Sequence, residues 1–434
     1  MQAVEITTQQ LIEYLEQSST ILVDVRPIAA YNGWSLQQEA RGGHIKGAIS
    51  FPLEWTRNND WRDLLNKKHI TPDRLVVVYG YDAAETEEMA VRLSDAGYED
   101  VYRYGGFREW SDSEELAMEH LPKFQCLVYP AWVQDLLAGN RPPTYNGGRF
   151  VICHASYRYR EDYESGHIPG AIHLDTELLE SPKDWNRRSP GVLQRALADL
   201  GISRDTTVVM YGRFSHPNNE EEYPGRMAGH LAAMRCAQIL MYAGVKDVRV
   251  LNGGMAAWLG AGYGTTTDEG EVHPVPDFGA DIPMHPELIV DTPKAKELLA
   301  SDEGELVSVR SWDEFIGDVS GYHYIDKVGR IPGAIFGNCG SDAYHMENYR
   351  NFDHTMREYH EIARIWARDG IVPDKHIAFY CGTGWRASEA FLHAYLMGWP
   401  RVSVYDGGWM EWSSDPHNSI ETGIPEEQSP AWEL

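Results

Sequence analysis

The sequence has few cysteines, and they form no pattern that would build a metal site or a disulfide framework. Five occur in 434 residues, an odd number, and they are widely separated, with no CxxC pair and no Cys/His cluster. We therefore expect no metal and no disulfides. Most of these thiols are interpreted as small buried apolar residues.

Basic residues are also scarce relative to acidic ones. The chain has 38 Lys and Arg against 65 Asp and Glu, a formal net charge of −27. Binding to nucleic acid or to an anionic membrane surface needs a basic face, so neither partner is expected. A small anionic substrate would need a local positive pocket, because the overall field repels it.

Long apolar runs are missing as well. No stretch approaches the roughly 18–20 apolar residues of a membrane span. Residues 1–5 contain no basic region followed by an apolar stretch, so no secretory leader is visible. The sequence as given predicts a cytoplasmic protein, and a periplasmic one if a leader was removed.

What the chain does contain is one domain-sized pattern repeated three times. Each copy has a buried strand, a G-[HR]-I-x-G-A-I motif, a second strand and a Gly-Gly segment, in that order. This order predicts an α/β fold in which each copy has a mainly parallel central sheet flanked by helices. The predicted domains are residues 1–122, 123–270 and 271–434, with a linker over residues 265–286.

The third copy carries a cysteine where its second strand ends. The strand His376–Tyr380 is followed by Cys-Gly-Thr-Gly-Trp-Arg and then by a predicted helix over residues 387–396. Loop N–H groups and a helix N-terminus favour an anion, which predicts a lowered pKa and a nucleophilic thiolate at Cys381. The predicted binding loop comprises Gly382, Thr383, Gly384, Trp385 and Arg386, with Arg386 as a fixed charge that could hold an anionic donor.

The other two copies lack this nucleophile. Alignment of the three strands places Gly80 and Gly212 at the position of Cys381. We therefore interpret the first two copies as inactive and structural. A separate active site in them remains an alternative, based on the polar residues Asp82, Arg213 and His216.

These motifs together resemble those of the rhodanese (sulfurtransferase) family. The resemblance rests on D-x-R, G-H-I-P-G-A-I, the cysteine loop and G-G-W, and it extends over essentially the whole chain, as in proteins with three rhodanese domains. The third copy departs from the pattern at Ser308, in place of the Asp of D-x-R, and at Arg330, in place of the His of G-H-I. The resemblance implies persulfide chemistry on Cys381, without a cofactor.

The implied reaction moves a sulfane sulfur from a donor to a thiophilic acceptor. Thiosulfate, 3-mercaptopyruvate or a persulfide-donating protein are the candidate donors, and cyanide, a thiol or a carrier protein are the candidate acceptors. Cysteine phosphatases and arsenate reductases use a Cys-x5-Arg loop, whereas this loop is Cys-x4-Arg, which favours one sulfur atom over a tetrahedral oxyanion.

The donor is left open by the loop itself. Thiosulfate-preferring relatives have cations at the second and third loop positions, and mercaptopyruvate-preferring relatives hold the substrate carboxylate with arginines upstream. This sequence has Gly382 and Thr383 in the loop, and it places Glu314 and His323 where those arginines would stand. The possible auxiliary residues are Arg310, Arg330 and His323, although Arg310 is expected chiefly to pair with a nearby acid.

The sequence also allows alternative roles for two residues of the third copy and alternative functions for the chain. Trp385 could mark a docking surface for a protein donor or pack against another domain. Cys339 could resolve the persulfide, or it could be buried and inert. A non-enzymatic scaffold for sulfur trafficking and an oxyanion reductase or phosphatase are the alternatives to sulfur transfer. Gly382 to Gly384 is not part of a G-x-G-x-x-G motif, which argues against a nucleotide cofactor.

Overall fold

The computed structural model describes residues 3–17, 19–214 and 228–426. These residues form two compact units, one up to residue 125 and one from residue 126 onward. Among the described helices, none has the length and apolar character needed to cross a membrane. All five cysteines are free thiols.

The first unit contains a five-stranded parallel sheet with the strand order β1-β6-β5-β2-β4, and β3 pairs with β7 in a separate antiparallel ribbon. Its strands are β1 (Val4–Glu5), β2 (Ile21–Asp24), β3 (His44–Ile45), β4 (Ile49–Ser50), β5 (Val76–Tyr79), β6 (Val101–Tyr104) and β7 (Met118–Glu119). Its helices are α1 (Thr8–Leu15), α2 (Ile28–Asn32), α3 (Trp61–Lys67), α4 (Ala83–Asp95) and α5 (Phe107–Asp112).

The second unit contains two such sheets, and the first of them defines what we call the second domain. Its strands are β8 (Leu127–Val128), β9 (Phe150–Ser156), β10 (Ile172–Asp175), β11 (Thr207–Tyr211) and β12 (Asp247–Leu251). Its helices are α6 (Pro130–Leu137), α7 (Glu161–Glu164), α8 (Pro190–Asp199), α9 (Gly229–Ala243) and α10 (Gly254–Gly260). The strand order is β8-β12-β11-β9-β10.

The other sheet of this unit defines the third domain. Its strands are β13 (Ile289–Val290), β14 (Gly304–Ser308), β15 (Ile335–Phe336), β16 (His376–Tyr380) and β17 (Val402–Tyr405). Its helices are α11 (Thr292–Leu299), α12 (Trp312–Ile316), α13 (Tyr359–Arg368), α14 (Trp385–Leu396) and α15 (Gly408–Ser414). The strand order is β13-β17-β16-β14-β15.

The three sheets therefore repeat one topology, and the predicted α/β class with three tandem domains is confirmed. The central strands β5, β11 and β16 are mostly apolar and are buried except at the half-buried His376, as expected for parallel strands covered by helices on both faces. The exact domain boundaries at residues 122 and 270 stay predictions.

The predicted linker is anchored to the second domain rather than loose. Phe278 is fully buried, and its carbonyl accepts a hydrogen bond from the backbone N–H of Arg204. The backbone N–H of Val275 donates to Ala198, at the end of α8. These contacts tie the segment between the two sheets to the second domain.

Helix α9 joins the second domain to the third. All fifteen of its residues are buried, and it packs against α14, the helix that follows the cysteine loop. A helix buried on every side belongs to the interior of a larger unit. Polar residues on α9, such as Arg235 and His230, must therefore find partners within the protein.

Candidate active site

Cys381 lies at the carboxyl end of the central strand of the third sheet. Strand β16 pairs with β14 on one side and β17 on the other, and Ser308 is level with Tyr380. The chain runs outward in opposite directions after β14 and after β16, so the crevice between their carboxyl ends is a topological switch point. This is where open parallel sheets bind ligands.

The cysteine loop turns sharply into α14 with two residues in the left-handed region. Gly384 has φ +92° and Trp385 has φ +56°. A left-handed backbone is accessible to glycine but costs a bulky residue about 1–3 kcal/mol. The surroundings of Trp385 must therefore stabilise this conformation.

The Gly-Gly segment after β17 holds the other side of the loop. The backbone N–H of Trp409 donates to the carbonyl of Cys381 at 2.8 Å, and that of Met410 donates to Gly382 at 3.1 Å. Glycine is required at position 408, where a Cβ atom would lie 2.6 Å from the Gly382 carbonyl oxygen. The Gly-Gly segment predicted from the sequence thus supports the cysteine loop.

Tyr322 is a site residue that the sequence did not indicate. Its hydroxyl oxygen accepts hydrogen bonds from the backbone N–H of Gly382, at 3.0 Å, and from the guanidinium of Arg386. Burial raises the pKa of Tyr322 well above its usual value, so the hydroxyl keeps its proton. Because the Tyr322 oxygen already accepts two hydrogen bonds, its hydroxyl proton is available for donation to a third group.

Tyr322 also explains the glycine at the second loop position. A Cβ atom on Gly382 would lie 2.4 Å from the Tyr322 ring. The Tyr322 ring therefore fills the space that any side chain at the second loop position would need, including the cation expected for a thiosulfate-preferring loop.

Arg386, which the sequence suggested as a fixed charge that could hold an anionic donor, is engaged by an acidic side chain of the protein itself. Its two terminal nitrogens donate to the two carboxylate oxygens of Glu314 at 2.9 and 2.8 Å, in a fully buried pair. Arg310 donates to the same carboxylate at 3.3 Å, as expected from the sequence. Burial alone would raise the pKa of Glu314, but the charges of Arg386 and Arg310 lower it to about 2. The positive charge of Arg386 is therefore matched inside the protein.

The remaining auxiliary candidates do not line the site. Arg330 donates to the Gly423 carbonyl and pairs with Glu421, and His323 is exposed with its ring against Tyr324. Cys339 is fully buried, which raises the pKa of its thiol and matches the expectation of an inert residue.

Trp385 packs against the second domain, which was one of its two predicted roles. Its indole N–H donates to both carboxylate oxygens of Glu180, at 3.1 and 3.0 Å. Its ring meets Tyr157 edge-on, with centroids 5.6 Å apart. Both partners belong to the second domain.

A cavity of about 480 Å³, counting its opening to solvent, lies over Cys381 between the second and third domains. Aromatic side chains make up half of its lining, and the sulfur-bearing residue is only 1% exposed. Trp185 of the second domain stacks on Tyr324 of the third, with centroids 4.7 Å apart. The lining residues are Tyr157, Trp185, Ala228, Leu231, Tyr322, Tyr324, Ala343, Tyr344, Cys381, Thr383, Trp385 and Arg386.

The corresponding loops of the first two domains carry glycine, and a Cβ atom there would clash with backbone at Gly212 but chiefly with the flexible end of the Glu85 side chain at Gly80. A Cβ atom at Gly212 would lie 2.0 Å from the Gly229 carbonyl oxygen, and one at Gly80 would lie 2.8 Å from Glu85. Of the polar residues that suggested another site, Asp82 caps α4, Arg213 donates to backbone carbonyls, and His216 lies outside the described residues.

Sequence reasoning missed the aromatic lining and Glu180. The aromatic pair flanking His323 was visible in the sequence, but only the fold brings it to the cysteine. Residues of the second domain carried no local signal, since they reach the site across a domain interface.

The chain matches known sequences over most of its length. The family profile of the rhodanese-like domain matches residues 7–113, 152–261 and 291–415. Thiosulfate sulfurtransferase YnjE of Escherichia coli is 40% identical over 428 residues, which cover 97% of this chain and 93% of that protein.

Solved structures are more similar still. The anaerobic ergothioneine biosynthesis enzyme from Chlorobium limicola, in complex with its natural substrate trimethyl histidine, is 53% identical with a TM-score of 0.96, covering 98% of this chain and 100% of that one. EanB with a cysteine persulfide and ergothioneine is 53% identical with a TM-score of 0.95, covering 97% and 100%.

Proposed function

This chain belongs to the rhodanese family of sulfurtransferases, and we propose that it moves a sulfane sulfur from a Cys381 persulfide to the imidazole ring of a trimethylated histidine (hercynine), which yields ergothioneine. The reaction class follows from the family. The acceptor is our inference from the cavity and from the similarity to the ergothioneine enzymes.

The aromatic cavity over Cys381 carries this proposal. The side chains of Tyr157, Trp185, Tyr322, Tyr324 and Tyr344 line this cavity together with Cys381. Aromatic faces attract quaternary ammonium groups through cation–π interactions, worth about 2 kcal/mol or more when the cation is desolvated. Cyanide or a simple thiol has no group that would use such a lining.

The similarity to EanB supports the same acceptor at the level of single residues. EanB carries its persulfide on a cysteine, and there are structures of complexes with hercynine or ergothioneine for variants of a threonine two positions later and of an upstream tyrosine. The intervals between those three positions equal the intervals between Tyr322, Cys381 and Thr383 here.

The chemistry balances without an added oxidant. In the loading step the Cys381 thiolate attacks the outer sulfur of a donor, and the remainder of the donor leaves. In the transfer step the imidazole carbon attacks the terminal persulfide sulfur, and the S–S bond breaks with its electron pair on Cys381. The proton lost from that carbon balances the charge, so the products are a thione and the Cys381 thiol. The sulfane sulfur is reduced as the ring carbon is oxidised.

Tyr322 and the cysteine loop supply a hydrogen-bond donor for the acceptor ring and stabilisation for the leaving sulfur. The Tyr322 hydroxyl can donate its proton in a hydrogen bond to a ring nitrogen, since its oxygen already accepts from Gly382 and Arg386. The N-terminus of α14 favours the negative charge that develops on the leaving sulfur.

The cavity favours a donor other than thiosulfate. Among its described lining residues Arg386 is the one cation, and Glu314 neutralises it. A dianion would enter without a matching charge, so 3-mercaptopyruvate or a protein persulfide fits better. Thiosulfate is kept as a second candidate because the Escherichia coli relative at 40% identity is named for it.

The decisive experiment is a donor-screened transfer assay. The protein is loaded with thiosulfate, 3-mercaptopyruvate or inorganic polysulfide, mixed with hercynine, and ergothioneine is measured by mass spectrometry. We expect ergothioneine with at least one donor, one added sulfur at Cys381, and loss of both in Cys381→Ser. Cys126→Ser, which alters a partly exposed thiol, is the matched control and should retain both.

The aromatic lining is tested by comparing acceptors. Hercynine and histidine share the imidazole ring, but only hercynine has a trimethylammonium group. We expect kcat/KM for hercynine to exceed that for histidine by at least about tenfold, a ratio that corresponds to about 1.4 kcal/mol. Equal use of the two, or sulfur transfer to cyanide without any ergothioneine, would contradict the proposed acceptor.

A further inference from the structure

The side chain of Trp385 connects the cysteine loop of the third domain to the second domain. This residue stands in the left-handed region at φ +56°, four positions after Cys381. Its indole N–H donates to both oxygens of the buried Glu180 carboxylate, at 3.1 and 3.0 Å. An unfavourable backbone conformation in the loop is therefore held by a carboxylate from another domain.

Glu180 is itself held by a buried arginine on α9. The Nε of Arg235 donates to Glu180 at 2.6 Å, and Nη2 of the same guanidinium donates to Asp406 at 2.5 Å. Arg235 is 0% exposed, and the two carboxylates are each 1% exposed. A buried guanidinium is costly unless acidic partners compensate its charge, so Arg235 depends on Glu180 and Asp406 together.

This network returns to the same loop from the other side. Asp406 directly follows β17, and it also accepts from the side chain and the backbone N–H of Arg187 of the second domain, at 2.7 and 3.0 Å. Three residues later, the N–H of Trp409 donates to the carbonyl of Cys381. Hydrogen bonds therefore connect Trp385 through Glu180 and Arg235 of the second domain to Asp406, which lies three residues before the Trp409 N–H that contacts Cys381.

Arg235 also lies directly against the loop backbone. A Cβ atom at Gly384 would be 3.2 Å from its Nη1. The backbone of the loop is thus confined by the guanidinium on one side and by the Gly-Gly segment on the other.

We propose that Glu180 is a positioning residue for sulfur transfer, and that the second domain, which has no nucleophile, sets the conformation of the cysteine loop through Glu180 and Trp385. This role rests on the persulfide chemistry proposed for Cys381, but it does not depend on the identity of the acceptor. It deepens the proposed function, because it gives the second domain, which has glycine at the position of Cys381, a part in orienting the sulfur.

Such a role has a kinetic signature. Loss of the Glu180 anchor lets Trp385 relax towards negative φ, which displaces the loop amides and the sulfur from the acceptor. Small displacements of a reacting atom reduce the rate of the chemical step, whereas the cavity that binds the acceptor stays largely intact. The effect should therefore appear in kcat more than in KM.

The test is a double-mutant cycle on Glu180→Gln and Trp385→Phe. Glu180→Gln keeps the shape of the side chain, and Trp385→Phe keeps an aromatic ring but removes the N–H donor. Loading from thiosulfate or 3-mercaptopyruvate is followed by sulfur transfer to cyanide and, separately, to hercynine. We expect each single variant to lower kcat about tenfold, with KM for the acceptor within about twofold of wild type.

The double variant distinguishes positioning through Trp385 from an independent effect. If Glu180 acts through the indole, the double variant is also about tenfold slower than wild type. A hundredfold loss, or an unchanged kcat in Glu180→Gln, overturns the proposal. Because cyanide reports on the loop alone, the cycle stays informative if hercynine fails as an acceptor, and the two proposals can fail separately.

Glu389→Gln is the matched control for loss of a buried ion pair. Glu389 lies one turn further along α14, is 1% exposed, and pairs with Arg350 without lining the cavity over Cys381. We expect this variant to lower the thermal midpoint as Glu180→Gln does, but to keep kcat within about twofold of wild type. A tenfold loss of kcat in Glu389→Gln would show that general loosening of the interface explains the effect, and would overturn the positioning role.

Discussion

At the scale of single residues, the site is organised by a carboxylate between two arginines. Glu314 accepts from Arg386 and Arg310, and it also caps α12 together with Ser311. Removal of one partner of a buried pair leaves an uncompensated charge, which costs far more than the pair contributes. Arg386, Tyr322 and the cysteine loop all depend on this side chain.

We therefore predict that Glu314→Gln lowers the free energy of unfolding by about 3–5 kcal/mol. The pKa of Glu314 is lowered from 4.5 to about 2 in the folded protein. The stability from its ionisation is thus fully present above pH 4.5 and is lost as the pH falls towards 2, in total about 3 kcal/mol.

Thermal unfolding followed by circular dichroism between pH 7 and pH 3 tests both statements. Wild type should lose stability more steeply below pH 4.5 than Glu314→Gln does. Glu161→Gln, a substitution at an exposed position, should behave like wild type. Parallel pH profiles for wild type and Glu314→Gln would contradict the assignment.

At the scale of elements, α9 carries a buried histidine into the interface with α14. His230 stacks on Phe214, with centroids 4.0 Å apart, and lines a second, smaller cavity. Burial, followed by the nearby charge of Arg350, lowers the pKa of His230 well below 6.5. The other titratable residues facing this cavity are His354, Glu389 and His393.

A histidine that stays neutral when folded makes the protein sensitive to acid. The unfolded chain takes up a proton as the pH falls below 6.5, whereas folded His230 does not, so stability is present above pH 6.5 and decreases below it. We predict that His230→Gln reduces the loss of stability between pH 7 and pH 5.5 by about 1–2 kcal/mol. Urea unfolding of wild type and His230→Gln at pH 7 and pH 5.5 measures this difference in the free energy of unfolding.

The control for this prediction is His323→Gln, which alters an exposed histidine of the third domain. Its pH dependence should match that of wild type. If His230→Gln and His323→Gln give the same profile, buried His230 is not the source of the acid sensitivity.

At the scale of the whole molecule, the described residues of the site belong to one unit. The residues lining the cavity and the network through Glu180, Arg235 and Asp406 all lie beyond residue 125. The first unit has its own sheet and its own buried core, and a Cβ atom at Gly80 would crowd Glu85.

We therefore predict that a chain consisting of residues 126–434 folds and retains sulfur transfer. Persulfide formation at Cys381 and the rate of transfer to cyanide should stay within about threefold of the full chain. A chain consisting of residues 271–434, which lacks the second domain, should lose at least tenfold because Glu180 and Trp185 are absent.

Circular dichroism of each shortened chain separates loss of folding from loss of the site. If residues 126–434 fold but do not form the persulfide, the first domain contributes to catalysis, contrary to its interpretation as structural. If residues 271–434 fold and transfer sulfur at the full rate, the second domain has no role at the site.

Much of this architecture was predictable because it is encoded locally. The apolar run before Cys381 predicted a strand over His376–Tyr380, which is β16 as observed, and the helix after the loop begins at Trp385, two residues earlier than predicted. Glycine in place of cysteine at positions 80 and 212 predicted one cysteine loop among three domains. Strand periodicity, turn glycines and glycine in place of cysteine are all properties of short segments, and they can be recognised in the sequence without knowledge of the fold.

The tertiary structure alone decided how the loop is held and what lies above it. Arg386 carries the same charge in any conformation, but whether that charge is free depended on Glu314, 72 positions earlier. Tyr322 and Glu180 reach the loop from a distant segment and from another domain. Contacts of this kind depend on how sheets and helices pack, which no local pattern encodes. The sequence by itself therefore predicted Cys381 as the nucleophile and sulfur transfer as the reaction, whereas tertiary packing decided which side chains line the cavity over Cys381, the cavity that we propose selects the acceptor.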